Sequence, residues 1–137
     1  MKIMACYDGS NESKEVLKEA MKHAKAFNGA VILVTSVSGQ NRNDTDKIES
    51  IEQELKAAKA HFDENNINCK IHISYRGVDM DAGEDLVLVA SREQVDEVIG
   101  GIRTRSQVGK FTLGSTVQWL MLKAECPVIG VKKKNQR

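Results

Sequence analysis

The stretch Val31-Ile-Leu-Val-Thr-Ser-Val37 is a continuous run rich in β-branched residues, and Gly29 precedes it. β-Branched side chains favour extended backbone. A run that does not alternate between apolar and polar residues is typical of a parallel strand that is buried on both faces. Because parallel strands are joined by crossovers that usually contain a helix, this run predicts a sheet covered by helices.

Upstream of this run, the sequence predicts a strand followed by a helix. Residues 3–7 form a short apolar run, and apolar side chains then recur at helical spacing over residues 16–27. Ser10 or Asn11 can cap the start of this helix, and Gly29 can end it.

Downstream, residues 38–46 are polar and predict a long, mobile loop. The next elements are a helix over 48–62, a strand over 67–75, a helix over 82–93, a strand around 98–99, a helix over 114–124 and a strand over 127–132. In the last helix, Val117, Leu120 and Met121 are expected to face inward. This alternation predicts one α/β domain over residues 1–137, with an open five-stranded parallel sheet and helices on both faces.

The composition limits the kinds of partner. Lys and Arg number 20 against 19 Asp and Glu, a formal net charge of +1, so no overall field attracts a nucleic-acid polymer or an anionic membrane. Cys6, Cys69 and Cys126 are widely spaced and lie in apolar runs, which favours reduced thiols and a cytoplasmic location. No apolar run fits a signal peptide or approaches about 18 residues, so we expect an unprocessed, soluble protein.

Polar residues and glycines follow the carboxyl ends of three predicted strands. Ligands of open α/β sheets bind beyond these ends, so Asp8, Val37 and the Gly100-Gly101 pair are expected to converge on one crevice. Asp8 can accept a hydrogen bond from an adenine amino group or a ribose hydroxyl, or it can cap the following helix. Gly9 either leaves the crevice open, because it has no side chain, or is needed for the turn itself. Val37 either contacts the ligand through its main chain or is simply a core residue.

Gly114, Ser115 and Thr116 open the last predicted helix. The first N–H groups of a helix have no internal partner, and they lie at the positive end of the helix dipole, so this segment predicts an anion site. The sequence shows no nucleophile beside a base and no cluster of histidines or acids. It therefore predicts binding, without catalytic or metal-ligating residues.

Three cations, Arg103, Arg105 and Lys110, lie in the segment before this helix. They can balance a polyphosphate or remain solvated loop charges. The segment is not a P-loop, because Thr104 and Phe111 stand where that motif needs a glycine and a hydroxyl residue. No G-x-G-x-x-G motif follows the first strand, which argues against a dinucleotide site of the Rossmann type.

The spacing Gly101-x2-Thr104-x9-Gly114-Ser115 resembles the pattern G-x2-G-x9-G-[ST] of the universal stress protein family and departs from it only at Thr104. The resemblance spans nearly the whole chain. It implies a fold that is flavodoxin-like, Rossmann-like and adenine nucleotide alpha-hydrolase-like. It also implies ATP as ligand, with Mg²⁺ as an optional companion, held with little hydrolysis.

The resemblance also assigns residues to this ligand. Asp8 and the backbone of Val37 would contact adenosine. The ribose and phosphates would be contacted by Gly101, Arg103, Gly114, Ser115 and Thr116. Some members that also lack the second glycine carry a similar Arg-x-Arg-Ser-x-x-Gly-Lys run, which would make Ser106, Gly109 and Lys110 a substitute cradle. A homodimer would form through the last strand, at Pro127, Val128, Ile129 and Val131.

The leading hypothesis is a cytoplasmic, ATP-binding regulatory protein of the stress response. Thr104 keeps a second hypothesis open. It stands where the family has a glycine, and a β-branched residue resists the positive φ that a glycine can adopt by about 1–2 kcal/mol. The chain would then be a dimeric interaction module without nucleotide. A third hypothesis is an enzyme such as a nucleotidyl transferase, although the H-x-G-H signature of that reaction is absent.

Overall fold

The computed structural model describes residues 1–107 and 110–133, and residues 104–107 and 110–112 are described by their backbone alone. The strands are β1 (Lys2–Cys6), β2 (Ala30–Ser38), β3 (Cys69–Arg76), β4 (Glu97–Ile102), β5 (Thr104–Gln107), β6 (Lys110–Leu113) and β7 (Val128–Lys132). The helices are α1 (Asn11–Phe27), α2 (Thr45–Glu64), α3 (Ala82–Arg92) and α4 (Ser115–Lys123), with a 3-10 turn at Gly39–Asn41. No helix in these ranges is both long and apolar enough to cross a membrane.

Five strands form a parallel sheet in the order β3-β2-β1-β4-β7. Helices α1 and α2 pack on one face and α3 and α4 on the other, which confirms the predicted fold. Ile3, Met4 and Ala5 of the central strand are fully buried. The chain winds to one side of β1 through β2 and to the other side through β4, so the order reverses between β1 and β4. Their carboxyl ends are therefore the expected place for a ligand.

The two ends of α1 differ in how well the sequence predicts them. The Ser10 side chain accepts a hydrogen bond from the Ser13 N–H at 3.2 Å, so Ser10 is the cap. The helix ends at Asn28 rather than Gly29. Asn28 has φ 51°, and asparagine tolerates this left-handed conformation.

Two further expectations need correction. The predicted loop over residues 38–46 is mostly structured, because the 3-10 turn follows β2 directly and Asp44 caps α2. Met121 does not face inward: it is 47% exposed, whereas Val117 and Leu120 of the same helix are buried.

The segment before α4 was expected to be a loop, but its described backbone is an antiparallel hairpin of β5 and β6, with Thr104 opposite Leu113. The Gly114 N–H donates to the Arg103 carbonyl at 2.9 Å, which joins the two ends of the hairpin. The chain therefore leaves β4 and returns to the same place, and the start of α4 lies beside the end of β4.

A histidine hydrogen-bonded to a buried carboxylate lies at the opposite end of the sheet, where the strands begin. Glu97 of β4 is only 6% exposed, and its Oε1 lies 2.7 Å from His23 Nδ1 of α1. The other ring nitrogen of His23 lies 3.2 Å from Glu19 Oε1. The imidazole thus bridges two carboxylates and provides a partner for the buried one.

We expect His23→Ala to lower the free energy of unfolding by about 3 kcal/mol, because it leaves a buried carboxylate without its partner. His61→Ala, at an exposed position of α2, should change it by less than about 0.5 kcal/mol. Urea unfolding followed by circular dichroism measures both. Equal losses in the two variants would show that Glu97 does not depend on His23.

Candidate functional site

A cavity of about 150 Å³ opens where the carboxyl ends of β1 and β4 meet the start of α4. This volume is enough for a ring the size of benzene. Six predicted site residues line it: Asp8, Gly101, Arg103, Gly114, Ser115 and Thr116. Residues far apart in sequence thus meet at the point where the strand order reverses.

Apolar side chains form part of the cavity lining: Cys6 and Val34 of the sheet, Ala82 and Leu86 of α3, and Val117 of α4. Burial, with a smaller contribution from the nearby Asp8 charge, raises the pKa of the Cys6 thiol to about 12. The thiol therefore stays protonated at neutral pH and acts as an apolar wall rather than a nucleophile.

Asp8 is held in place by the start of α1. The Ser10 N–H donates to Asp8 Oδ1 at 3.0 Å, and the Ser13 hydroxyl donates to the same oxygen. Burial alone would raise the pKa of this carboxyl, but these hydrogen bonds and the charge of Arg103 outweigh it and leave the pKa below its ordinary value. Asp8 is therefore an ionised acceptor with a fixed orientation.

An ion pair spans the mouth of the cavity. Arg103 Nη2 donates to Asp8 Oδ2 at 2.7 Å, and the two side chains are 53% and 54% exposed. A pair this exposed contributes only about 0.5 kcal/mol, so a ligand can separate it at little cost. Arg103 is thus a cation that can turn towards an anion in the cavity.

The start of α4 presents free backbone donors to the same cavity. In α1, α2 and α3 a side chain caps the first turn, from Ser10, Asp44 and Asp81 respectively. In α4 the cap position is Gly114, and no side chain among the described ones bonds to this turn. Uncapped N–H groups at the positive end of a helix dipole suit an anion.

The predicted glycines serve different purposes. A Cβ on Gly101 would lie 2.8 Å from Glu12 Cβ, so Gly101 lets α1 approach the end of β4. Gly100 faces Leu120 of α4, 3.2 Å from the position of a Cβ, and so makes room for packing on the sheet. Gly9 has φ +82°, which the turn after β1 requires.

Val37 lies at a second cavity, of about 210 Å³, between the ends of β2 and β3 and the start of α2. Its side chain is 4% exposed. The two cavities share Tyr7, Asp8 and Ser36 as walls, so Val37 adjoins the first cavity without lining it.

Sequence reasoning missed Ser36, which lines the first cavity and belongs to a buried polar network. The Ser36 hydroxyl donates to Asp85 Oδ2 at 2.6 Å, and the Ser74 hydroxyl donates to Asp85 Oδ1 at 3.0 Å. Asp85 of α3 is only 3% exposed. A polar residue at the carboxyl end of an otherwise apolar strand was the signal that could have identified Ser36.

The substitute cradle remains a prediction. Gly109 lies outside the described residues, as do the side chains of Arg105, Ser106 and Lys110.

Comparisons with known proteins agree with this fold. A family model described as the universal stress protein family matches residues 1–132. A universal stress protein of Mycolicibacterium smegmatis is 25% identical over 130 residues, which cover 95% of this chain and 96% of that protein.

Solved structures extend the likeness to three dimensions. The universal stress protein from Archaeoglobus fulgidus has a TM-score of 0.80 and 26% identity, over 96% of this chain and 93% of that one. The universal stress protein from the same organism in complex with dAMP gives 0.77 and 25%, over 96% and 98%. The family match over nearly the full length, together with these likenesses, shows that the chain belongs to the universal stress protein family.

Proposed function

We propose that this chain is an ATP-binding regulatory protein of the stress response, and that the first cavity holds the nucleotide. The observation that carries the proposal is one cavity whose lining combines apolar side chains with Arg103 and the uncapped start of α4. A nucleotide combines the same two characters, since its base is flat and largely apolar and its phosphates are anionic. The complex of a family member with dAMP supports this assignment.

In this proposal, the base lies among the apolar walls and the phosphates lie at the N–H groups of Ser115 and Thr116. Asp8 accepts a hydrogen bond from the adenosine, which frees Arg103 to pair with a phosphate. Gly101 keeps α1 close to the cavity, and Gly114 begins α4 without a side-chain cap. Any Mg²⁺ would be held by the phosphates and water.

The chemistry of the described residues favours binding over turnover. Hydrolysis needs a group that activates water, and an efficient general base has a pKa near the working pH. Asp8 has a pKa below its ordinary value, and the Cys6 thiol stays protonated. We therefore propose little or no hydrolysis. The cysteines Cys6, Cys69 and Cys126 are all free, which fits a cytoplasmic location.

The direct test is to identify small molecules released from the purified protein by mass spectrometry, and to titrate ATP and AMP into the stripped protein by calorimetry. Saturable binding of one nucleotide per chain is the expected result. No heat and no thermal shift at millimolar ATP would overturn the proposal.

Ser115→Glu should weaken ATP binding by about tenfold or more, because it places a negative charge beside the phosphates. A carboxylate in the first turn favours the helix, so the fold should not suffer. Thr45→Glu is the matched control, since it makes the same charge change in the first turn of α2, which does not line this cavity. Calorimetry with ATP compares the two variants. Equal affinities would show that the phosphates do not bind at the start of α4.

Thr104 favours a second candidate function, an interaction module that binds no nucleotide. Thr104 lies in β5, opposite Leu113 of β6, so this part of the segment is a strand rather than a glycine turn around phosphates. Failure of the nucleotide titration together with a stable dimer would favour this candidate.

We also propose a homodimer through β7. This strand lies at the edge of the sheet and carries Val128, Ile129 and Val131, all partly exposed. The Pro127 carbonyl accepts from Val98 of β4 at 3.0 Å, and peptide groups alternate in direction along a strand. The N–H groups of Val128, Gly130 and Lys132 therefore point away from β4 and can pair with a second copy.

Lys132→Pro removes one of these outward N–H groups and leaves the pairing with β4 intact. Because both copies carry the substitution, we expect it to weaken the dimer by about 25-fold, the effect of two hydrogen bonds. Lys133→Pro, just beyond the end of β7, is the control and should leave the dimer unchanged. Sedimentation velocity over a concentration series measures both. A monomeric parent protein would contradict the proposed dimer.

A further inference from the structure

We infer that the second cavity is a separate site for a small zwitterion whose ammonium and carboxylate groups lie at opposite ends of a short apolar chain, that is, for an ω-amino acid. The inference adds a second ligand to the protein, and it does not depend on what occupies the first cavity. It follows from the opposite charges that the fold places on the two sides of the second cavity.

The acidic side of this cavity is at the end of β1. Glu54 of α2 holds its carboxylate over the turn that follows this strand, because Glu54 Oε2 lies 3.6 Å from the position of a Cβ on Gly9. Burial, and then the charges of Glu54 and Asp8, raise the pKa of the Tyr7 phenol. The phenol therefore stays neutral beside these carboxylates. The negative charge on this side suits an ammonium group.

The basic side of the cavity is at the end of β3. Arg76 is the last residue of β3, and its Nη1 donates to the Ser36 carbonyl at 2.9 Å. A guanidinium group has several N–H donors in a planar fork, so Arg76 retains donors for a carboxylate. Lys47, in the first turn of α2, lines the same cavity. These two cations suit the carboxylate of a ligand.

The spacing of the elements sets the distance between the two sides. β1 and β3 are the two neighbours of β2, so their ends lie about 10 Å apart across the sheet. Lys47 and Glu54 are seven residues apart on one face of α2, which is about 10 Å along the helix axis. Ile51 of the same face and Val37 of β2 line the cavity between them. The two charges are therefore separated by an apolar middle.

The two charges on α2 are available to a ligand. Within the part of the chain that the structure describes, no ion pair involves Glu54 or Lys47, whereas Asp8 is paired with Arg103. Both residues are exposed, so their charges are well solvated and each adds only modestly to affinity. We therefore expect dissociation constants in the millimolar range for a ligand of this size.

The volume of the cavity limits the length of the ligand. An apolar cavity of about 150 Å³ binds benzene, so the 210 Å³ of the second cavity suit a ligand about one third larger. 5-Aminopentanoate has this size and carries its charges at the two ends of a methylene chain. Valine and glycine betaine are isomers of it that hold their charges close together. The three compounds therefore differ in charge separation at constant size and net charge.

The test titrates these three isomers into isotope-labelled protein and follows the amide signals of Val37, Ser38 and Asn41 by NMR. 5-Aminopentanoate should bind about fivefold more tightly than valine or glycine betaine, because it alone reaches both sides of the cavity. Pentanoate and pentylamine, which each lack one charge, should also bind about fivefold more weakly. Equal affinities for the three isomers would overturn the inference.

Two variants assign the charges to their sides. Glu54→Gln should weaken 5-aminopentanoate about fivefold and leave pentanoate unchanged, and Lys47→Gln should weaken 5-aminopentanoate and leave pentylamine unchanged. Glu49→Gln and Lys56→Gln, at exposed positions of α2 that line neither cavity, are the matched controls. Affinities that fall no further in the cavity variants than in the controls would overturn the inference.

Glu54→Lys provides a gain that damage to the site would not produce. It replaces the acid by a cation, so the dicarboxylate pentanedioate should bind more tightly than it binds the parent protein, and 5-aminopentanoate more weakly. The absence of this reversal would overturn the inference.

Competition separates this inference from the proposed function. Saturating AMP that abolishes the binding of 5-aminopentanoate would show that the nucleotide occupies the second cavity, and would overturn the separate site. A protein that binds 5-aminopentanoate but no nucleotide would overturn the proposed function alone.

Discussion

The central strand β1 is hydrogen-bonded to a parallel strand on each side and buried under helices on both faces. Ile3 to Ala5 have no exposed surface, so nothing in this strand can move without disturbing both halves of the core. Since β2 and β4 depart from β1 in opposite directions, no crossover covers the carboxyl ends of β1 and β4. The cavity is thus a consequence of the strand order, and its residues are the ones that happen to follow these strands.

A buried carboxylate lies at each end of the strands, and its burial is offset by different partners at the two ends. At the amino-terminal edge, Glu97 is paired with an ionisable ring, that of His23. At the carboxyl-terminal edge, Asp85 is surrounded by hydroxyl donors from Ser36 and Ser74. The residues of the first arrangement line neither cavity. The second includes Ser36, which lines both, so the hydrogen bonds that satisfy a buried carboxylate also hold a hydroxyl group in the cavity wall.

Local sequence patterns predicted the sheet because each buried strand is a distinct apolar run and each helix has its own periodicity. The hairpin of β5 and β6 could not be predicted in this way. β5 contains no apolar residue and each strand has only four residues, so no apolar pattern long enough to indicate a strand marks this segment. Ser36 was missed for a related reason. Its importance comes from Asp85, 49 residues further along the chain, and no local pattern reports such a partner.

The predicted site residues also differ in how far the sequence could predict their placement. Asp8, Gly101, Arg103, Gly114, Ser115 and Thr116 line one cavity because they follow strand ends or begin a helix, positions that the topology fixes. Thr104 is different, because it lies within a strand of the hairpin. As a strand residue it avoids the positive φ that would strain a β-branched side chain. Under the proposed function, Thr104 thus costs a glycine turn near the phosphates rather than strain, and the start of α4 and Arg103 supply the attraction.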